Sequence, residues 1–79
     1  MSIDRQREVE HLNKAEADIG AGEKRVTEQV MLIERLRSDE RDTREAERFL
    51  GNLERMLAEW QQHREDIIKT IRQIDANLT

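Results

Sequence analysis

The stretch that decides the fold is residues 46–78, AERFLGNLERMLAEWQQHREDIIKTIRQIDANL, in which apolar residues recur alternately three and four positions apart. This spacing places them on one stripe of an α-helix, and such a stripe must be buried against other helices. The repeat lasts for roughly five heptads, with one polar interruption at Arg64. Its apolar members are Ala46, Leu50, Leu53, Leu57, Trp60, Ile67, Ile71, Ile74 and Leu78.

The first half of the chain carries the same periodicity more weakly, on a broader face with small residues near its centre. Each interior glycine costs roughly 1 kcal/mol relative to alanine, so a bend is allowed around Gly20 and Gly22. The apolar and small members of this face are Val9, Leu12, Ala15, Ile19, Gly22, Val26, Val30, Ile33 and Leu36.

Length and composition favour a single domain of long helices. The chain has 79 residues, of which 41% are charged, with one Trp, one Phe and no Tyr or Pro. This composition suits long helices and has too little aromatic mass for a sandwich or an α/β sheet. A lone chain of this size buries little of its surface, so we expect it to associate with itself or with another protein.

The charge pattern and the residue types that are missing exclude several classes of protein. The net charge is −4 with both signs interspersed, which argues against binding of nucleic acid or of an anionic membrane surface. The longest apolar run, residues 30–33, is too short to span a bilayer. Without cysteine, disulfides and thiolate chemistry are excluded. Residues 1–7 lack the apolar core of a secretory signal, so we expect a cytoplasmic protein.

A polar stretch at residues 37–45 separates the two apolar patterns. Asp42 and Glu45 have the spacing of a capping box, and Thr43 offers the same cap one residue later. We therefore predict one all-α domain with helix 1 at about 3–37, a turn at about 38–42 and helix 2 at about 43–78. One continuous helix is the competing interpretation, because none of these residues forbids it.

Facing positions favour the antiparallel hairpin. With the turn near Glu40, the numbers of facing residues add up to about 80, so Gly20 lies opposite Trp60 and Gly22 lies near Leu57 and Ala58. Small residues opposite the one large indole are what close packing requires.

One charged pair is expected to set the register of the two helices. Arg64 is the only charged residue in the second seam, and Glu16 falls opposite it. The predicted helix seam comprises Leu12, Ile19, Val26, Ile33, Leu50, Leu53, Leu57, Trp60, Ile67, Ile71 and Ile74.

A two-helix hairpin leaves apolar side chains bare beside this seam. Phe49 and Met56 widen the apolar stripe of helix 2 on one side and Ile68 widens it on the other, while Met31 and Leu32 point away from the stripe of helix 1. One neighbouring helix cannot cover all of them. We expect two hairpins to form a homodimeric four-helix bundle, or another helical protein to cover the same surface.

A metal-binding bundle is one alternative function. Glu8 and His11 have the Glu-x-x-His spacing of di-iron bundles, and Glu10 lies between them. His11 points outward when the apolar face is inward, and the second half offers only Glu59 and His63, which the hairpin places well away. Glu8 and His11 are thus weak metal candidates, and no cofactor is expected.

A second alternative is a small dimeric regulator that binds nucleic acid through arginines near the turn, namely Arg37, Arg41, Arg44 and Arg48. Catalysis has no support, since the chain has no glycine-rich phosphate loop after a strand and no serine placed with His and Asp. The leading hypothesis is a non-enzymatic interaction or scaffold protein that acts by helix packing.

Four stretches carry a resemblance to a known group: GEKRVTEQ at 22–29, LIERL at 32–36, DTREAERFL at 42–50, and His63 with Arg64. They resemble small helical proteins common in alphaproteobacteria, rhizobia especially, over roughly residues 12–68. These proteins often have a glycine immediately before the Asp-Thr pair, where this chain has Arg41. The resemblance implies a helical hairpin in a bacterial cytoplasm and brings no established activity.

Overall fold

The computed structural model describes residues 3–77 and shows two long antiparallel helices joined by a short turn. α1 spans Ile3–Ser38 and α2 spans Arg44–Asn77, and residues 3–77 contain no strand. The hairpin is a rod with Cα extents of 61 × 14 × 13 Å. The predicted all-α hairpin is therefore confirmed, and the continuous helix is wrong. Leu78, the last apolar residue of the heptad repeat, lies outside the described residues.

The end of α1 is closed by backbone hydrogen bonds that require an unusual conformation at Glu40. The amide of Glu40 donates to the carbonyl of Arg37 at 3.0 Å, and the amide of Arg41 donates to the carbonyl of Leu36 at 2.8 Å. This pair of bonds is a Schellman motif. Glu40 accordingly has a φ of 57°, in the left-handed region that glycine adopts without steric cost.

α2 begins one residue later than the predicted capping box requires. The carbonyl of Thr43 accepts the first helical bond from Glu47 at 2.8 Å, so Thr43 is the N-cap residue. Asp42 precedes it, and its Oδ1 accepts the amide of Arg44 at 3.0 Å. Within residues 3–77 no bond returns from Glu45 to the amide of Asp42, so the predicted capping box is wrong.

The core is a single seam between the helices. Every predicted seam residue is buried or partly buried. The most buried apolar side chains, all less than a tenth exposed, are Ala15, Ile19, Ile33, Leu53 and Ile67. Among the described residues no large side chain is fully enclosed. Each helix has only one neighbour, so the seam is covered from one direction only.

Trp60 packs on Gly22 and not on Gly20, which corrects the predicted pairing. A Cβ built on Gly22 would lie 3.1 Å from Cζ3 of Trp60 and 3.3 Å from Cδ1 of Leu57. A Cβ on Gly20 would meet nothing within 4 Å. Side chains on a helix lean toward its N-terminus, which in α2 is the end at the turn. The indole therefore reaches past the level of Gly20 to Gly22.

The inner position beside the turn on α1 belongs to Gln29, whereas the sequence pattern assigned it to Val30. Val30 is 38% exposed, while Gln29 is partly buried and its Nε2 donates to the carbonyl of Ala46 at 2.9 Å. The spacing of Val26, Gln29 and Ile33 continues the seam. A polar residue can occupy this inner position because its amide is hydrogen-bonded across the hairpin.

Replacing Glu40 by glycine should stabilise the hairpin by about 1 kcal/mol, because the left-handed conformation costs a side chain roughly that much. At fixed protein concentration the melting temperature should rise by about 4–8 °C. Arg41→Gly is the matched control: Glu40 is the only described non-glycine residue with a positive φ, so this change should bring no gain. Equal gains in the two variants would contradict the Schellman turn.

Alanine at Gly20 and at Gly22 should have different effects on stability. Gly20→Ala should stabilise by about 1 kcal/mol through helix propensity alone, since its new methyl group meets open space. Gly22→Ala gains the same propensity but forces the Trp60 ring aside, and overpacking typically costs about 1–3 kcal/mol. Denaturant unfolding of both variants should therefore place Gly22→Ala below Gly20→Ala. Equal stabilities would rule out the close contact with the indole.

The ion pair at the start of α2 should make the hairpin sensitive to acid. The side chain of Arg44 donates to Asp42, and with the backbone bond from Arg44 this lowers the pKa of Asp42 below its usual 3.8. A lowered folded-state pKa contributes stability above the unfolded value and loses it as the pH falls toward the folded one. Asp42→Asn keeps an oxygen acceptor without the charge. Melting temperatures should favour the wild type at pH 6, and its advantage should shrink below about pH 3.8. A difference in melting temperature between the wild type and Asp42→Asn that is the same at pH 6 and below about pH 3.8 would contradict this role.

Candidate interaction surface

Two shallow grooves run along opposite sides of the hairpin and show which residues share a side. The groove on one side, about 410 Å³, is lined by Glu16, Ile19, Glu23, Gln61 and Arg64. The groove on the other side, about 230 Å³, is lined by His11, Lys14, Ala15, Asp18, Trp60 and His63. Because positions seven apart share a flank of a helix, these residues identify two long faces.

The first face contains three of the five exposed large apolar side chains, all of them in the half of the hairpin beside the turn. On α1, steps of seven from His11 pass through Asp18 and reach Leu32 near the turn. On α2, steps of seven back from His63 reach Met56 and then Phe49. We call it the Phe49 face, and its members are Asp4, His11, Asp18, Arg25, Leu32, Phe49, Met56, His63, Thr70 and Asn77.

The opposite side is rich in carboxylates, and we call it the acidic face. Its members are Val9, Glu16, Glu23, Val30, Arg37, Glu47, Glu54, Gln61, Ile68 and Asp75. Arg37 Nη2 lies 3.0 Å from Glu47 Oε1 across the two helices, which agrees with placing both residues on this side. Glu16 is paired with Arg64, which borders the same groove, and Asp75 is paired with Arg5, so Glu23 and Glu54 leave the acidic face with a negative charge.

An apolar cluster of Leu32, Phe49 and Met56 occupies the half of the Phe49 face beside the turn. Their exposed fractions are 40%, 52% and 39%. The register places Phe49 at the level of Leu32, and Met56 lies one heptad further from the turn. Three large apolar side chains are thus presented together on one side of a rod whose other side is charged.

The remaining predicted contact residues do not join this cluster. Met31 is 57% exposed, but it lies seven residues from the exposed Lys24, on the outer surface of α1. Ile68 is partly buried on the acidic face, as its spacing of seven from Gln61 shows. The five predicted residues therefore fall on three different surfaces, and only Leu32, Phe49 and Met56 share one.

Charged pairs tie the helices together at two levels beyond the turn. Glu16 Oε1 lies 3.6 Å from Arg64 Nε, so the two predicted register residues meet as a loose, largely exposed ion pair. Near the open end, Arg5 Nε donates to Asp75 Oδ1 at 2.6 Å, and this bond lowers the pKa of Asp75. This second pair was not predicted from the sequence, although its residue numbers add up to the same 80 as those of Glu16 and Arg64.

The weak metal candidates lie close to each other without forming a set of ligands. His11 Nδ1 is 3.9 Å from Glu8 Oε2, and both residues are on α1. His63 borders the same groove as His11, so it lies nearer than the sequence analysis predicted. Among residues 3–77 no group of three His, Cys, Asp or Glu residues is arranged to hold a metal ion.

The arginines near the turn are partly neutralised by carboxylates. Arg37 pairs with Glu47 at 3.0 Å, and Arg44 Nη2 lies 2.9 Å from Asp42 Oδ2, which raises the pKa of Arg44. A phosphate would have to compete with these carboxylates for two of the four arginines in the predicted basic patch. The charge pattern around the turn is therefore mixed.

Comparisons with known proteins assign this chain to no family. No family model, no curated protein and no solved structure matches the chain. The resemblance to small helical proteins of alphaproteobacteria stays a prediction. Neither α1 nor α2 contains a stretch with the length and hydropathy needed to cross a bilayer.

Proposed function

We propose that this chain is a non-enzymatic interaction protein that works by helix packing, and that two hairpins join through their Phe49 faces into a four-helix bundle. The observation that carries the proposal is the apolar cluster of Leu32, Phe49 and Met56, exposed on one side of a hairpin that has no fully enclosed large side chain among its described residues. Phe49 and Met56 lie beside the seam on α2, and Leu32 lies beside it on α1. A second hairpin packed on these three residues would therefore extend the same core.

Surface area supports association. The hairpin exposes 6353 Å², whereas a compact monomer of its 9.4 kDa mass would expose about 5,000 Å². One side of the rod, 61 Å long and 14 Å wide between Cα atoms, offers about the 800 Å² per chain of a standard interface. Burying a large apolar side chain contributes about 1.5–3 kcal/mol, and three such side chains per chain are half-exposed.

Charge favours the Phe49 face over the acidic face as the packing surface. Glu16 pairs with Arg64 and Glu47 pairs with Arg37, so two acidic faces brought together would oppose the unpaired Glu23 and Glu54 of both chains, and like charges in an interface are unfavourable. On the Phe49 face Asp18 is paired with Lys14 at 3.1 Å and Asp4 is offset by one arginine, Arg25, and this face also carries the apolar cluster. The acidic face would then remain on the outside of the bundle, in contact with water.

Replacing Phe49 by aspartate should abolish association, because a charge in the middle of the interface would be buried without a partner. Light scattering on a sizing column should give twice the 9.4 kDa chain mass for the wild type and the single-chain mass for Phe49→Asp. The expected loss of affinity is about a hundredfold or more, as for truncation of a central interface residue.

Met31→Asp is the matched control, because Met31 is equally exposed but lies on the outer surface of α1. It should keep the dimer mass and the helical circular dichroism of the wild type. A wild type that stays at the single-chain mass across all concentrations would overturn the proposed dimer. A Phe49→Asp variant that keeps the dimer mass would show that the Phe49 face is not the contact surface.

A further inference from the structure

The outer edges of the Phe49 face carry opposite charges. Beyond the flank positions of α1, a line of exposed residues spaced by seven consists of Arg7, Lys14, Ala21, Glu28 and Arg35. Beyond those of α2, the corresponding exposed line consists of Glu45, Asn52, Glu59, Asp66 and Gln73. The α1 edge has three cations and one anion, whereas the α2 edge has three anions and no cation.

The register places these two edges level with each other, residue by residue. Facing residue numbers add up to about 80, as in the pairs Arg5 with Asp75 and Glu16 with Arg64. By the same rule Arg35 is level with Glu45, and Lys14 is level with Asp66. Within one chain these edges lie on the far sides of the two helices. Arg35 and Glu45 form no ion pair in the described hairpin.

A two-fold axis parallel to the helices would bring these matched levels together. Such a rotation keeps every residue at its level and places α1 of one chain over α2 of the other. Arg35 then meets the partner's Glu45, and Lys14 meets the partner's Asp66, each twice by symmetry. The same operation stacks Leu32 on the partner's Phe49, which closes the apolar cluster.

An axis perpendicular to the helices does not satisfy the charges. It would place α2 over the partner's α2, and centred on the apolar cluster it would set Glu45 against the partner's Glu59. Like charges so placed are destabilising. The apolar cluster also lies at the turn end of the face, so this arrangement could cover it fully only by shifting the hairpins along each other and leaving their open ends unpaired.

We propose that the Phe49 face is covered by a second copy of this chain, related by a two-fold axis parallel to the helices, so that both turns lie at the same end of the bundle. This inference rests on the proposed dimer and adds its symmetry and its specificity residues. Arg35 and Glu45 select the arrangement, while Leu32, Phe49 and Met56 supply the buried area.

Distances between spin labels test the symmetry in the 79-residue chain. The chain has no cysteine, so Asp39→Cys at the turn and Gln6→Cys near the open end each introduce one label site per chain. With the parallel axis both label pairs should lie within about 30 Å, since neighbouring helix axes are 8–10 Å apart. With a perpendicular axis at least one pair must reach about 50 Å, because the two sites are about that far apart along the hairpin.

Charge reversal tests the specificity residues. Arg35→Glu and Glu45→Arg should each weaken the dimer by about tenfold, since each turns two symmetric attractions into repulsions. The double variant should return to within about threefold of the wild-type dissociation constant. Arg48→Glu, which makes the same charge change on the outer surface of α2, should leave the constant unchanged.

The outcomes separate this inference from the proposed function. A protein with dimer mass and one label distance near 50 Å would overturn the parallel axis and leave the dimer standing. A single-chain mass would overturn both. A double variant no better than the single ones would show that Arg35 and Glu45 do not meet across the interface, which also overturns the arrangement.

Discussion

A helix with one neighbour can hide only one stripe of its surface, and this constraint governs the whole molecule. The apolar arc of α2 is wider than that stripe, because Phe49 and Met56 extend it to one side. The hairpin buries the centre of the arc and leaves its edge in water. Stability and interaction are therefore one physical problem, since the side chains that another chain would cover continue the core that holds the hairpin together.

The sequence predicted the fold well because the deciding signals are local and periodic. Proline-free heptads specify long helices, a polar segment separates them, and the sum rule near 80 brought Glu16 to Arg64 correctly. The sum rule was wrong by two residues for the residue opposite Trp60, because residue counting ignores the lean of a side chain along its helix. The sequence pattern also missed Gln29, whose seam position is clear from spacing but whose polarity is explained only by a carbonyl on the other helix.

The candidate surface was only partly predictable, because the sequence does not show how each helix is rotated about its own axis. Spacing alone shows that Phe49 and Met56 share a flank of α2, and that Leu32 and Met31 lie off the seam of α1. Which flank of α1 faces the same side as Phe49 depends on how both helices are rotated about their axes. His11 and His63 border the same groove, which shows which flank of α1 and which flank of α2 lie on one side. Steps of seven along each helix then place Leu32 on the side of Phe49 and Met31 on the outer surface.

The contact between Trp60 and Gly22 has a practical consequence. Trp60 is the only tryptophan in the chain, and its ring lies against the backbone of the other helix about halfway between the turn and the open end. Its fluorescence therefore comes from a single place, the midpoint of the hairpin. Trp60 also borders the groove on the Phe49 face, so its emission should respond both to separation of the two helices and to the covering of that face. Separation of the helices that starts at either end of the hairpin must reach Trp60. The fluorescence of the native tryptophan can therefore follow this separation without an added dye.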